Sequence, residues 1–123
     1  MEIIRSRIVY TAALQSSDDT RTSYTISTST LTPNIDSYDM FVLTSQAEAL
    51  TIANTTGTLV NGNAFVIRIK DNGTARAITF GNKYRAIGSA LPTTTTISKV
   101  LYFAVVYNSQ DDKYDVFPSQ LEI

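Results

Sequence analysis

From Phe65 to Ile69 every second residue is apolar, and Val66, Arg68 and Lys70 fill the positions between and after them. A period of two marks a strand with one buried face; an amphipathic helix would repeat near 3.6. Asp71-Asn72-Gly73 follows, and then Ala75, Ala77 and Thr79 alternate with Arg76, Ile78 and Phe80. Two alternating runs around a Gly-containing turn read as a β-hairpin. Gly73 supplies the left-handed residue of a short loop, as in a type I turn with a G1 bulge.

The rest of the chain extends this pattern. Val100 to Tyr107 is almost wholly apolar, which predicts a central strand covered on both faces, by the core on one side and a neighbouring subunit on the other. Asn108 to Asp112 forms a turn, and Tyr114 to Phe117 is the return strand. Further strands are expected over Tyr24–Leu31 at an edge, Tyr38–Thr44, Leu50–Ala53 and Lys83–Ile87. Ser45 to Ala49 is either a link or a helical turn. Thr56–Asn63 and Gly88–Thr96 read as loops, the latter alternatively as an extended edge. The chain holds 18 threonines and 12 serines, and β-branched threonine favours strands. Seven or eight short strands with frequent turn signals predict an all-β fold, an antiparallel, jelly-roll-like β-sandwich. Residues 23–123 form that domain, and residues 1–22 an N-terminal arm or edge segment.

Composition narrows the chemistry. There is no histidine and no cysteine among the 123 residues. That excludes Ser-His-Asp catalysis, a cysteine nucleophile and most zinc sites. A net charge of −1 gives no basic excess for nucleic acid. Arg5 and Arg7 interrupt the apolar residues of the N-terminus, so no signal peptide is read, and no apolar run reaches membrane-spanning length. The reading is of a protein made in a cytoplasm and kept there until assembly, with no membrane, nucleic-acid or cofactor partner.

Carboxylates are the remaining acid–base groups near neutral pH. Asp111, Asp112 and Asp115 gather at one turn, and Asp36 and Asp39 flank another. Such groups suit a calcium site or a glycosidase pair, yet neither cluster has EF-hand spacing, and turn aspartates more often bond their own backbone. Lys83, Tyr84 and Arg85 form a candidate ligand patch, against the plainer reading of a half-buried Tyr beside a solvent-facing Arg. Arg68 and Arg76 are placed either at a subunit contact or in water. Tyr102, on the apolar strand, suits an interface. Ile3, Ile4, Ile8 and Val9 make the N-terminal segment a candidate strand donor to a partner. The sequons at Asn54 and Asn72 are chance matches in a threonine-rich chain.

The order of these segments resembles a module of tailed-bacteriophage virion proteins. The resemblance lies in Val66–Phe80, Lys83-Tyr84-Arg85-Ala86-Ile87-Gly88, Leu91-Pro92-Thr93-Thr94-Thr95, Tyr107-Asn108 and Asp112–Val116. Thr32-Pro33-Asn34 and Leu50–Ala53 fit as well. Phe80 and Tyr114 stand where that family commonly has tryptophan, and the module is often the tip of a longer chain. The family implies a β-sandwich working as a homo-oligomer, often a homotrimer, without catalytic residues or cofactors. Its members include capsid decoration, head-fibre and tail-fibre proteins. The resemblance therefore implies a virion cement protein contacting the major capsid protein or another virion protein, or alternatively a receptor-binding tip.

Overall fold

The computed structural model describes residues 19–123. The interface candidates Ile3, Ile4, Ile8 and Val9, and most of the expected arm, lie outside the described residues. After one 3-10 turn at Asp19–Arg21, ten strands follow. They are β1 (Thr22–Thr25), β2 (Thr30–Leu31), β3 (Met40–Gln46), β4 (Leu50–Ile52), β5 (Ala64–Asp71), β6 (Ile78–Phe80), β7 (Tyr84–Ala86), β8 (Leu101–Asn108), β9 (Lys113–Val116) and β10 (Gln120–Leu121). The chain is all-β, as expected. The segment after β3 is not a helical turn, because the strand itself continues to Gln46.

The strands form two sheets. The larger has seven strands in the order β1-β3-β5-β8-β9-β7, with β10 also paired to β8. The smaller is β2-β4-β6. Consecutive strands from β1 to β6 alternate between the sheets, so β1-β3-β5 and β2-β4-β6 pair in parallel. A parallel pair needs a long crossover. Here each crossover runs through a strand of the opposite sheet. The C-terminal part is different: β5-β8 and β8-β9 are antiparallel, and β7 lies parallel to β9. The pairing is therefore mixed, where an antiparallel arrangement was expected.

The hairpin expected around Asp71-Asn72-Gly73 does not form, although both of its strands exist. β5 pairs with β3 and β8, and β6 pairs with β4. Gly73 does adopt the left-handed backbone, with φ +100°. Asp71 supplies the reason the arms part. Its Oδ1 accepts from Gly73 N at 3.0 Å and from Ser98 N at 2.9 Å, and its Oδ2 accepts from Thr95 Oγ1 at 2.7 Å. The turn is thus tied to the 93–98 segment, which runs beside β6: Ile78 N donates to Thr93 O, and Ala77 bridges Thr94. The extended-edge reading of Gly88–Thr96 holds there. The second expected hairpin, β8 with β9, forms, and Asp112 takes a positive φ of 53° in its turn.

One core lies between the sheets. Phe41, Leu43, Phe65, Ile67, Ile69, Phe103 and Val105 enter it from the larger sheet, and Leu31, Leu50, Ile52 and Ile78 from the smaller. Edge-to-face aromatic contacts run through it from Tyr38 to Phe41 to Phe65, and from Phe103 to Phe80 to Tyr84 to Tyr114. The buried Gln46 leaves no amide group idle: it donates to Thr28 O and Glu48 O and accepts from Thr28 N.

Candidate interaction face

Strand alternation puts the remaining residues of the larger sheet on its outer face. Register aligns Thr22, Met40, Val66 and Ala104 in one row across four strands. Phe117 extends that row, its N–H donating to Ala104 O. The next row is Tyr24, Val42, Arg68, Tyr102 and Gln120. A third holds Ala64, Val106, Asp115 and Arg85. The face is apolar at its centre and carries exposed aromatic rings, with Tyr102 40% and Phe117 42% exposed. The two-sided apolar character of Val100–Tyr107 is thereby explained: Leu101, Phe103 and Val105 enter the core, and Tyr102, Ala104 and Val106 look outward. Five strand positions at ~4.8 Å, each of four to eight residues, give a face of roughly 500 Å². That approaches the ~800 Å² one partner contributes to a standard interface.

Arg68 and Tyr102 are cross-strand partners, and the guanidinium carbon lies 5.9 Å from the ring centroid, within cation–π range. Beside them a groove of about 310 Å³ is lined by Arg68, Val100, Tyr102, Gln120, Leu121 and Glu122. Glu122 closes one end by pairing with Val100 twice: its N–H donates to Val100 O, and its Oε1 accepts from Val100 N at 2.9 Å. That backbone hydrogen bond holds the Glu122 carboxyl below the usual range, helped by the charges of Lys70, Lys99 and Arg68 against a smaller opposing effect of burial.

The other candidates separate. Arg76 lies away from Arg68; its Nη2 donates to Asn72 Oδ1 at 2.9 Å, and its Nε is buried without a partner. Tyr84 is a core residue, 7% exposed, with its hydroxyl donating to Ala53 O at 2.8 Å. Burial, then the neighbouring Tyr114, pushes its phenol far above the ordinary value. Lys83 and Arg85 flank Tyr84 in sequence but turn outward to the acids. Arg85 reaches Asp115 at 2.8 Å and Asp111 at 3.1 Å. Lys83 holds both oxygens of Asp112 at 2.9 Å, and Tyr107 donates to the same carboxylate. Those hydrogen bonds depress the Asp112 carboxyl, Lys83 contributing first, and raise the pKa of Lys83 in turn; Asp115 and then Asp111 raise that of Arg85.

Asp111 and Asp115 thus meet at Arg85 while Asp112 is held apart from them by Lys83, and each is bound by a cation of the same chain. Among the described residues no group of three or more His, Cys, Asp or Glu side chains is placed to share a metal ion. Asp39 is likewise paired with Arg21 at 2.9 Å, and Asp36 accepts from Thr58 N at 3.0 Å. The arrangement suits fixing one end of the sheet rather than acid–base work. No helix among the described residues is long and apolar enough to cross a membrane.

Sequence reasoning did not find β10, Phe117 on the outer face or Glu122 in the groove. Alternation from Val116, which is buried, would have placed Phe117 outward. No family model, curated protein or solved structure matches this chain.

Proposed function

We propose that this chain is a virion structural protein of a tailed bacteriophage, a capsid decoration protein that attaches to the head as a homo-oligomer through the outer face of its seven-stranded sheet. It is made in the host cytoplasm and ends in the virion. The observation that carries the reading is the face itself: an apolar field of Val66, Ala104 and Val106 bearing Tyr102, Phe117 and Arg68. Aromatic residues and arginine around an apolar centre are the composition of protein interfaces. The resemblance of the ordered segments to those of phage modules supports the biological setting, and the ion-paired acids favour binding over hydrolysis. A homotrimer would turn several weak contacts into firm attachment through effective concentration.

Light scattering of the purified protein, followed by sedimentation with isolated empty heads lacking it, tests the proposal. A stable oligomer that pellets with heads is the expected result. Protein that ignores heads but adsorbs to host cells would overturn the decoration reading in favour of a tail-fibre or receptor-binding tip.

A further inference from the structure

Four arginines fall among the described residues, and three have acceptors within the chain. Arg21 donates to Asp39, Arg76 to Asn72 and Arg85 to Asp115 and Asp111. The Arg68 guanidinium has none among the described residues and rests beside the Tyr102 ring. It stands on the outer face of the larger sheet and lines the groove. Lys70 follows two residues along β5, and both lysines that act on Glu122, Lys70 and Lys99, belong to the same neighbourhood. Among the described residues, the charges of Lys70, Lys99 and Arg68 all act on the Glu122 carboxylate, so the groove is a cationic neighbourhood beside apolar surface.

Chemistry favours one kind of occupant. A guanidinium fork matches a carboxylate in two parallel hydrogen bonds, and an aromatic plane beside it keeps water from competing. A groove of about 310 Å³ is at the lower end of ligand-site sizes and takes one side chain with its flanks. Val100, Tyr102 and Leu121 supply apolar walls to those flanks. We propose that the groove at Arg68 and Tyr102 receives an aspartate or glutamate side chain, set between apolar residues, from the protein to which this chain attaches. This rests on the attachment reading above and names the partner's chemistry: an acidic–apolar segment that seats its carboxylate on Arg68.

The test uses the full-length protein and heads isolated without it, and compares wild type with Arg68→Ala, Arg68→Lys and Lys113→Ala. Because the Arg68 guanidinium has no acceptor among the described residues, Arg68→Ala should melt within a few degrees of wild type and bind heads about tenfold or more weaker. Arg68→Lys, which keeps the charge and loses the fork, should fall between, and Lys113→Ala should bind as wild type does. Carbodiimide treatment of the complex should join Lys70 or Lys99 to an Asp or Glu of a head protein, identified by mass spectrometry. If wild type and Arg68→Ala bind heads equally, the groove inference falls and the attachment reading stands. If wild type does not bind heads, both fall. Retention of wild type on sialyllactose or hyaluronan beads, lost in Arg68→Ala, would assign the groove to carboxylated glycans and overturn the peptide partner.

Discussion

Replacing Asp71 with asparagine tests the account of how the two sheets are joined. Asp71 is 4% exposed at the end of β5, and its carboxylate accepts three hydrogen bonds, from Gly73 N, Ser98 N and Thr95 Oγ1. An asparagine oxygen can keep the two backbone donors. Its amide nitrogen must then face the Thr95 hydroxyl, which already accepts from Arg76 N at 2.8 Å. That hydroxyl would meet two donors, and its own proton would lose its acceptor in a buried place. One charge-assisted bond is lost and two become neutral, a cost of ~2 kcal/mol. At ~2.1 cal/mol/K per residue over the folded domain, this corresponds to a Tm lower by ~9 °C at pH 7, read by circular dichroism.

The pH dependence sharpens the test. Burial works to raise the Asp71 pKa, but the hydrogen bonds from Ser98, Thr95 and Gly73 and the charge of Arg76 outweigh it, leaving the carboxyl below its ordinary 3.8. Its contribution is therefore complete above the ordinary value and is lost as the pH falls through the folded value. The difference between wild type and Asp71→Asn should be constant from pH 5 to 7 and should narrow below about pH 4. Equal melting at pH 7, or a gap that widens on acidification, would refute the view of Asp71 as an ionised tie.

Three further outcomes are expected. Tyr84→Phe should lose ~1 kcal/mol through the missing bond to Ala53 O in urea unfolding at pH 7. Because burial raises the Tyr84 phenol, its contribution is intact below pH ~10 and lost above it, so the wild-type midpoint should drop more than that of Tyr84→Phe between pH 9 and 11.5. Gly81→Ala would drive a methyl against Asn54 Oδ1 and to 2.9 Å from Asn54 N, whereas Gly73→Ala meets open space and only backbone strain at φ +100°. Calorimetry should show a loss of ~2–3 kcal/mol for the first and ~1 kcal/mol for the second, and the reverse order would contradict the packing. Millimolar calcium or EDTA should leave Tm unchanged, since Lys83 and Arg85 already occupy Asp111, Asp112 and Asp115; a calcium-dependent rise would show that these pairs yield to a cation.

Local chemistry was legible in the sequence where it acts locally. A period-two run located β5 and an almost wholly apolar run located β8, and β8 with β9 formed the expected hairpin across a short turn. The acids at 111, 112 and 115 were readable as neighbours in sequence, two in the turn and Asp115 in the strand that follows it. What they meet was not: Arg85 in β7 and Lys83 just before it arrive through the parallel pairing of β7 with β9, and a sequence pattern carries no record of which distant strand lies beside another. Tyr84 was similarly ambiguous. Its neighbours are charged, and only the alternation of a three-residue strand sends it inward.

The failed hairpin shows the limit physically. Asp71-Asn72-Gly73 encodes a reversal of backbone direction, and the backbone does bend there, with Gly73 at φ +100°. A turn fixes the register of its two arms only when no stronger partner claims them. β5 has three inward apolar residues, Phe65, Ile67 and Ile69, each buried to 2% or less, and it satisfies its backbone against β3 and β8, both long strands. β6, with only three residues, cannot compete for that position. It lies instead against β4, where Thr51 and Thr79 face each other at 3.0 Å on the exposed side and Ile52 and Ile78 enter the core. The side chain of Asp71 holds the separation by binding Thr95 and Ser98. Residues 71–79 thus carry a turn and a strand, and the long-range competition for β5 decides how they are used. The same pairing of β5 with β8 sets Arg68 beside Tyr102 on the outer face of the larger sheet.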